Sequence, residues 1–400
     1  MKTRVLILHQ HDPFIHHVGG VGTFINTFLR HAPEDFEVRL VGVSTDPQKR
    51  PVGKWQSTRL NGNTFDFLPI VHAHPTYHGR FPLSIRFAWA LRQFRRLINF
   101  QDSILELHRI ETELALKDIS QMKVLFYHTH PKDIYHPQTE NHWRRFPALY
   151  FWLERRLLKN IHQLYGVRED LIDWYRQQYP QFKQPFIFLP TWVDEDIFQS
   201  VSEGERTTLR LRFEKEYGIK SGSRILLFVG RFERQKDPEM LLEAFRLLNQ
   251  QIPETELVLI GGGSLEPDLR KSIARNQMED RIHLLGPQSQ ASIAQWMNIA
   301  DSLCLSSVYE GMPRVVLEAL QCGLPVVTTD QGEVKRLIQH PTAGRIVLEH
   351  TAESFSSACA DLLSQPRDRQ ACQKMVEPFR ANQVLNYLFS TYRDLKEIKS

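Results

Sequence analysis

Between residues 224 and 350 the chain alternates short apolar runs with longer stretches whose apolar residues recur every three or four positions. RILLFV, ELVLIG, RIHLLG, SLCLSS, LPVVTT and GRIVL are the apolar runs, and 237–250, 265–276, 289–299 and 313–322 carry the helical spacing. A run that is apolar at successive positions is buried on both faces. Strands of that kind joined by helices predict a parallel sheet covered on both sides. Residues 1–190 repeat the theme less regularly, with VLILHQ, FEVRLVGV, SILELH, VLFYHT and PFIFLP as predicted strands. The boundary falls near 185–195, where PFIFLPTWVDEDIF runs from strand into linker. This predicts an α/β protein of two domains, 1–190 and 191–377. The stretch 378–400 reads as helix, with Val384, Leu385, Leu388, Tyr392 and Leu395 as its apolar positions.

Composition fits this picture. Four hundred residues, 42% apolar and 24% charged, are enough for two or three full cores. No uncharged apolar run approaches the ~18–20 residues of a membrane span. The apolar run in MKTRVLILHQH is too short for a secretion signal and reads as a first buried strand. Cys304, Cys322, Cys359 and Cys372 show no C-x-x-C pairing, which predicts reduced, buried thiols in a cytoplasmic protein. Charge changes the picture more. Residues 1–190 hold 25 Lys/Arg against 17 Asp/Glu, a net of +8; the remainder holds 25 against 29, a net of −4. A basic first half predicts an acidic partner. Nucleic acid is excluded as that partner, because no recognition motif or dense Lys/Arg stretch is present.

The densest chemistry lies in DSLCLSSVYEGMPRVVLEALQCGLPVVTTDQGEVKR, residues 301–336. Glu310 falls on the loop after a predicted strand, and Glu318 lies about a turn inside the helix that Pro313 opens. Between them the helix start offers backbone N–H groups, a seat for phosphate. One carboxylate can then meet sugar hydroxyls and the other a ribose. In LFVGRFERQKDPEMLLEAF, Gly230, Arg231 and Lys236 fall at another strand's carboxyl edge. Two cations there suit a diphosphate, Arg as a fork and Lys as a point charge.

The segment EGMPRVVLEALQCGLPVV resembles the signature of the retaining "group 1" nucleotide-sugar glycosyltransferases, in which a Glu, seven residues and a second Glu precede G-x-PVV. Arg231, Lys236 and Ala244-Phe245 match a second pattern of that family, and HLLG, ending at Gly286, matches a third. The resemblance implies the GT-B fold, two Rossmann-like domains facing a cleft, with the last helix crossing back to the first domain. It also implies no cofactor and no metal requirement. Gly230, Gly286, Gly311, Met312 and Pro313 join Glu310, Glu318, Arg231 and Lys236 as donor-binding positions. Glu310, His128, Arg231 and Lys236 carry the reaction. In the first half the resemblance rests on loop glycines and histidines: Gly19 and Gly20 in HHVGGVG, His128 in YHTHP and His108 in LELHR, all on the acceptor side.

Several look-alikes are set aside. Gly261 to Gly263 read as a tight turn, since G-x-G-x-x-G is absent. His130 competes with His128, and H-x-H lacks a third ligand at a telling spacing. The DED at 194–196 sits in PTWVDEDIF, which resembles an interdomain segment of the family with Thr191-Trp192 in place of Asn-Gly. In TTDQGEVKR, Glu333 and Arg336 depart from the family's pattern.

Two stretches of the basic half place a single Trp among arginines. Over 86–98, Phe87, Ala90, Leu91, Phe94, Leu97 and Ile98 form an apolar face, opposite Arg86, Arg92, Arg95, Arg96 and Trp89. Over 143–159, Phe146, Leu149, Tyr150, Leu153 and Leu157 oppose Arg144, Arg145, Arg155, Arg156, Lys159 and Trp152. Such faces suit either Arg–Trp stacking in water or an anionic membrane surface. The expected function is retaining transfer of a sugar from a nucleotide diphosphate to a hydroxyl of a saccharide or lipid-linked acceptor, in polysaccharide or glycolipid synthesis. The protein would be cytoplasmic or peripheral on the inner membrane face. A phosphorylase or epimerase of the same fold, or a non-catalytic nucleotide-sugar binder, are the alternatives.

Overall fold

A computed structural model describes residues 2–15, 20–60, 62–73, 82–135 and 142–397. The chain divides into two compact units: Met1–Thr191 with Asn382–Ser400, and Trp192–Ala381.

The first unit is built on eight strands: β1 Thr3–Leu8, β2 Phe36–Ser44, β3 Gln56–Leu60, β4 Asn63–His72, β5 Ser103–Leu107, β6 Lys123–Tyr127, β7 Gln163–Gly166 and β8 Phe186–Phe188. Their order is β3-β4-β2-β1-β5-β6-β7-β8, and only the β3–β4 pair is antiparallel. The chain builds outward from β1 on one side, then returns to add β5 on the other. That reversal opens a crevice at the carboxyl ends of β1 and β5, where ligands of such sheets bind. His9 follows β1, His108 follows β5 and His128 follows β6. The sheet runs Val5–Leu8 are completely buried, as their unbroken apolar character requires.

The second unit carries six parallel strands: β9 Arg224–Val229, β10 Thr255–Ile260, β11 Ile282–Gly286, β12 Ser302–Leu305, β13 Val326–Thr329 and β14 Gly344–Val347. The order is β11-β10-β9-β12-β13-β14, so its reversal lies between β9 and β12. Each predicted strand and helix of 224–350 is present. The helix Pro238–Gln251 starts on Asp237, whose side chain accepts from the Met240 N–H at 3.2 Å, with Pro238 in the first turn where no donor is lost. It buries Leu241, Leu242, Ala244, Phe245 and Leu248 against the sheet. All four cysteines are buried free thiols.

The helix Ala381–Glu397 packs into the core of the first unit. Val384, Leu385, Leu388, Phe389 and Tyr392 are buried there, with the Phe389 ring 5.0 Å from that of Phe28. Arg393 binds Asp35 through Nε at 2.8 Å and a second nitrogen at 3.0 Å.

One predicted helix takes a different form. Residues 143–159 divide into a short 3-10 turn His142–Arg145, an α-helix Pro147–Leu157 and a 3-10 turn Leu158–Asn160. Tyr150 and Leu157 of the apolar face read from the sequence are buried and Leu153 is half-buried, but Glu154 is buried with them. Phe146 and Leu149 stand exposed beside Trp152, at 63%, 51% and 55%. The reason is Glu154, which turns inward to four tyrosine hydroxyls and rolls the helix with it. The other basic stretch is an α-helix over Leu83–Phe94 and a 3-10 turn over Arg95–Leu97. Phe87, Ala90, Leu91 and Ile98 are buried as expected, while Leu97 is 47% exposed. Among the described residues no helix is long and apolar enough to cross a membrane.

Candidate active site

The two loops that leave the β9/β12 reversal carry the predicted donor residues. Gly230 follows β9 and begins the loop that holds Arg231 and Lys236; Glu310, Gly311, Met312 and Pro313 follow β12. The loops are stitched together. The Val308 N–H donates to Gln235 O at 2.8 Å, Gln235 Nε2 to Tyr309 O at 3.1 Å, and Ser306 Oγ to Lys236 O at 2.7 Å. On the far side Thr329 Oγ1 donates to Ser307 O at 2.6 Å, and the Glu333 N–H to Gly311 O at 3.1 Å. Gly332 is required there. Its φ is +61°, and a Cβ would collide with Gly311 O.

At the centre Glu310 is 7% exposed. Its Oε1 accepts from Ser307 Oγ at 2.6 Å and from Lys236 Nζ. The ammonium predicted for a diphosphate is therefore already paired with the carboxylate predicted for a sugar. The pair forms one preorganised unit that presents both a cation and an acceptor at the sheet edge. Arg231 is exposed, and its guanidinium donates to Gln235 Oε1 at 3.1 Å.

Glu318 sits at the fifth position of the helix Arg314–Gln321, whose start at Pro313 has no side-chain cap. Only 12% of its side chain is exposed, and Arg314 Nε lies 3.8 Å from its Oε1. Burial raises its pKa, Arg314 lowers it, and Asp194 raises it further. The Glu318 oxygens thus lie in a low-dielectric setting, where a hydrogen bond to a hydroxyl is stronger than in water. Gly286 ends β11 at φ +68°, and its carbonyl accepts from the Gly261 N–H at 3.1 Å. Gly261 itself has φ +147°, and a Cβ there would meet Gly230 O. The glycine run is thus a close backbone approach between neighbouring strand ends. His283 is bound to buried Glu256 at 2.7 Å and serves the fold. In the DED segment Asp194 is buried and accepts from the Asp196 N–H at 3.2 Å, while Trp192 is fully buried.

In the first unit Gly20 is exposed at the start of the helix Gly20–His31, and Gly19 lies outside the described residues. His108 and His128 are brought together, with Nδ1 of the first 2.9 Å from Nε2 of the second. His130 goes elsewhere. Its Nδ1 accepts from the Lys132 N–H at 3.0 Å, and burial lowers its pKa to about 4. Ser307, Gln235 and Glu106 are site neighbours that the sequence reading missed. The first two lie within a few residues of residues it singled out, and they could have been found as polar positions on those loops.

Residues 210–377 match the family described as glycosyl transferases group 1. A D-inositol 3-phosphate glycosyltransferase of Pseudarthrobacter chlorophenolicus is 35% identical over 164 residues, 40% of this chain and 39% of that protein. The amylovoran biosynthesis glycosyltransferase AmsK of Erwinia amylovora is 28% identical over 206 residues, 48% of this chain and 51% of that one. The chain thus aligns with two-fifths to half the length of these curated relatives. Among solved structures, sucrose-phosphate synthase of Thermosynechococcus elongatus superposes with a TM-score of 0.80 at 18% identity, covering 99% of both chains. HepE of Anabaena, in complex with UDP-glucose, gives 0.68 at 14% identity over 98% of this chain and 99% of that one.

Proposed function

We propose that this chain, a group 1 glycosyltransferase by its residues 210–377 and of the GT-B fold throughout, transfers a sugar from a nucleotide diphosphate to an acceptor hydroxyl with retention of configuration. The observation that carries the reading is the Lys236–Glu310–Ser307 cluster at the β9/β12 reversal. A diphosphate seated there meets the Lys236 ammonium, the Arg231 guanidinium and the uncapped start of the helix Arg314–Gln321. Glu310 accepts from sugar hydroxyls, and Glu318 accepts from the ribose. The backbone at Gly230, Gly286, Gly311, Met312 and Pro313 lines the donor. Gly19, Gly20, His108 and His128 serve the acceptor side on the first unit. HepE, whose structure holds UDP-glucose, supports a nucleotide sugar as donor class.

In the reaction the bond between the anomeric carbon and the diphosphate oxygen breaks, and the pair of electrons leaves with the diphosphate. Two fixed cations and helix N–H groups stabilise the growing charge, so no metal is required. The acceptor oxygen bonds to the same face, and its proton passes to a departing phosphate oxygen. Glu310 holds the ring while it carries oxocarbenium character. Proton NMR of the earliest product should show the donor's anomeric configuration. Glu310→Gln keeps the shape but removes the charge, and should raise the barrier by roughly 2–4 kcal/mol with nucleotide affinity little changed. An inverted product would overturn retention, and wild-type turnover of the variant would overturn the site. Product only with inorganic phosphate, or with no acceptor, would point to a phosphorylase or an epimerase.

The acceptor class proposed is a saccharide or lipid-linked hydroxyl, reached at the inner face of an anionic membrane. The support is the surface of the first unit. Trp89 is 66% exposed and Trp152 55%, with Phe146 and Leu149 exposed beside the latter. Arg92, Arg96, Arg144, Arg145, Arg155 and Arg156 are exposed around them. The location proposed with it is the cytoplasm, as a peripheral membrane enzyme of polysaccharide or glycolipid synthesis.

A further inference from the structure

Behind His128 runs a line of polar groups, two of which, Glu106 and Tyr392, the proposed reaction leaves without a task. Tyr392 Oη lies 2.6 Å from Glu106 Oε2; Glu106 Oε1 lies 3.0 Å from His108 Nε2; His108 Nδ1 lies 2.9 Å from His128 Nε2. Glu106 and the side chain of His108 are fully buried, while His128 is partly exposed at the carboxyl edge of β6. The line therefore begins on the helix Ala381–Glu397, crosses the end of β5 and surfaces beside the reversal of the first sheet.

The order of donors follows from chemistry. A buried carboxylate accepts, so Tyr392 and His108 Nε2 donate to it. Burial holds the Tyr392 hydroxyl well above its usual range and keeps its proton in place. A His108 ring protonated on Nε2 has a lone pair on Nδ1 and must accept there. His128 then donates through its own Nε2–H. The groups facing the line are the His9 ring, 5.4 Å from His108 and held neutral by burial, with His11, Arg109 and Tyr165 nearby. Phe24 and Phe126 pack against the His108 ring at 5.3 and 5.2 Å and fix its plane.

We propose that Glu106 and Tyr392 are positioning residues that set the tautomer and the plane of the His128 ring, through His108, for its contact with substrate. This rests on the assignment of His128 to substrate in the proposed transfer. It makes the last helix part of the functional apparatus, since Tyr392 supplies one of the donors that hold the carboxylate.

The experiment uses the full chain without ligand, labelled with ¹⁵N-histidine, with long-range proton–nitrogen spectra assigned by His108→Gln and His128→Gln. Each ring should carry its proton on Nε2 and none on Nδ1. Glu106→Gln offers His108 an amide that either donates or accepts, so His108 should divide between two tautomers and His128 should follow. Turnover should fall about 10- to 100-fold with donor KM little changed, the signature of misplacement rather than lost binding. Tyr392→Phe is a milder lesion of the same line and serves if Glu106→Gln does not fold. A His128 protonated on Nδ1, a doubly protonated His108, or wild-type turnover in both variants would each overturn the proposal. Expected tautomers in a wild-type protein that transfers no sugar would count against the proposed function and leave the relay standing.

Discussion

Glu154 is fully buried on the helix Pro147–Leu157, and four phenols converge on it. Tyr127, Tyr150 and Tyr175 donate to Oε1 at 2.6, 3.1 and 2.7 Å, and Tyr179 donates to Oε2 at 3.1 Å. Burial raises its pKa above the usual 4.5, and the four hydroxyls pull it back. A carboxyl whose folded pKa lies above its unfolded one binds its proton more tightly in the folded state. Its contribution is therefore complete below the unfolded pKa and is lost as pH rises through the folded one. Glu154→Gln removes that slope, so in thermal melts from pH 4 upward the variant should gain on wild type with rising pH. Glu154→Ala strands the phenols and should cost at least about 2 kcal/mol at every pH. Parallel pH curves for wild type and Glu154→Gln would contradict the assignment. At this scale the sequence was legible where chemistry is local: Glu310, Lys236 and Arg231 were named from strand-edge loops, and they lie on those loops. It was silent on the pairing of Glu106 with Tyr392, which meet across 286 positions. A polar residue inside an apolar strand looks like an ordinary edge position until its partner is seen.

Helices and strands were legible in proportion to their amphipathicity. The second unit's strands are mostly apolar, and each lies on a run read from the sequence. Strand β3, QSTRL, alternates between partly and fully exposed positions at the sheet's edge and carries no hydrophobic signal. The Asn61-Gly62 dipeptide beside it is the hairpin signal that could have revealed it. The helix Glu203–Tyr217 buries only Phe213, and its clue is the capping box of Ser202 and Glu205. The roll of Pro147–Leu157 around Glu154 bears on the proposed membrane surface, because it leaves Phe146 and Leu149 exposed with Trp152. Arg156 lies 5.0 Å from the Trp152 ring, a pairing that water also tolerates, so exposure alone does not decide the partner. Flotation with liposomes does. Wild type should partition into anionic vesicles at low salt, less at moderate salt and little into neutral ones. Trp89→Ala with Trp152→Ala should abolish most of it, and Leu149→Ala should add to the loss. Equal partition into both lipids would remove the membrane reading.

Two cores and one shared chain make a prediction at the scale of the whole molecule. The chain passes from the first unit to the second at Thr191–Trp192 and returns at Ala381–Asn382. The returning helix gives the first unit Val384, Leu385, Leu388, Phe389 and Tyr392, all buried. Each fully buried apolar side chain is worth about 1.5–3 kcal/mol, so losing several approaches the whole stability of a domain. The predicted donor residues Arg231, Lys236, Glu310 and Glu318 all belong to the second unit, which keeps its own six-stranded sheet. A chain ending at Ala381 should therefore lose its first unit and keep its second. Calorimetry should show one transition remaining at its original temperature, and titration with a nucleoside diphosphate should retain affinity while transfer is lost. The double variant Arg231→Ala, Lys236→Ala should do the reverse, leaving both transitions in place and weakening the nucleotide by about 2–5 kcal/mol. If the shortened chain loses nucleotide binding along with its first unit, the two cores do not stand independently. The donor site would then need the first unit to hold its shape.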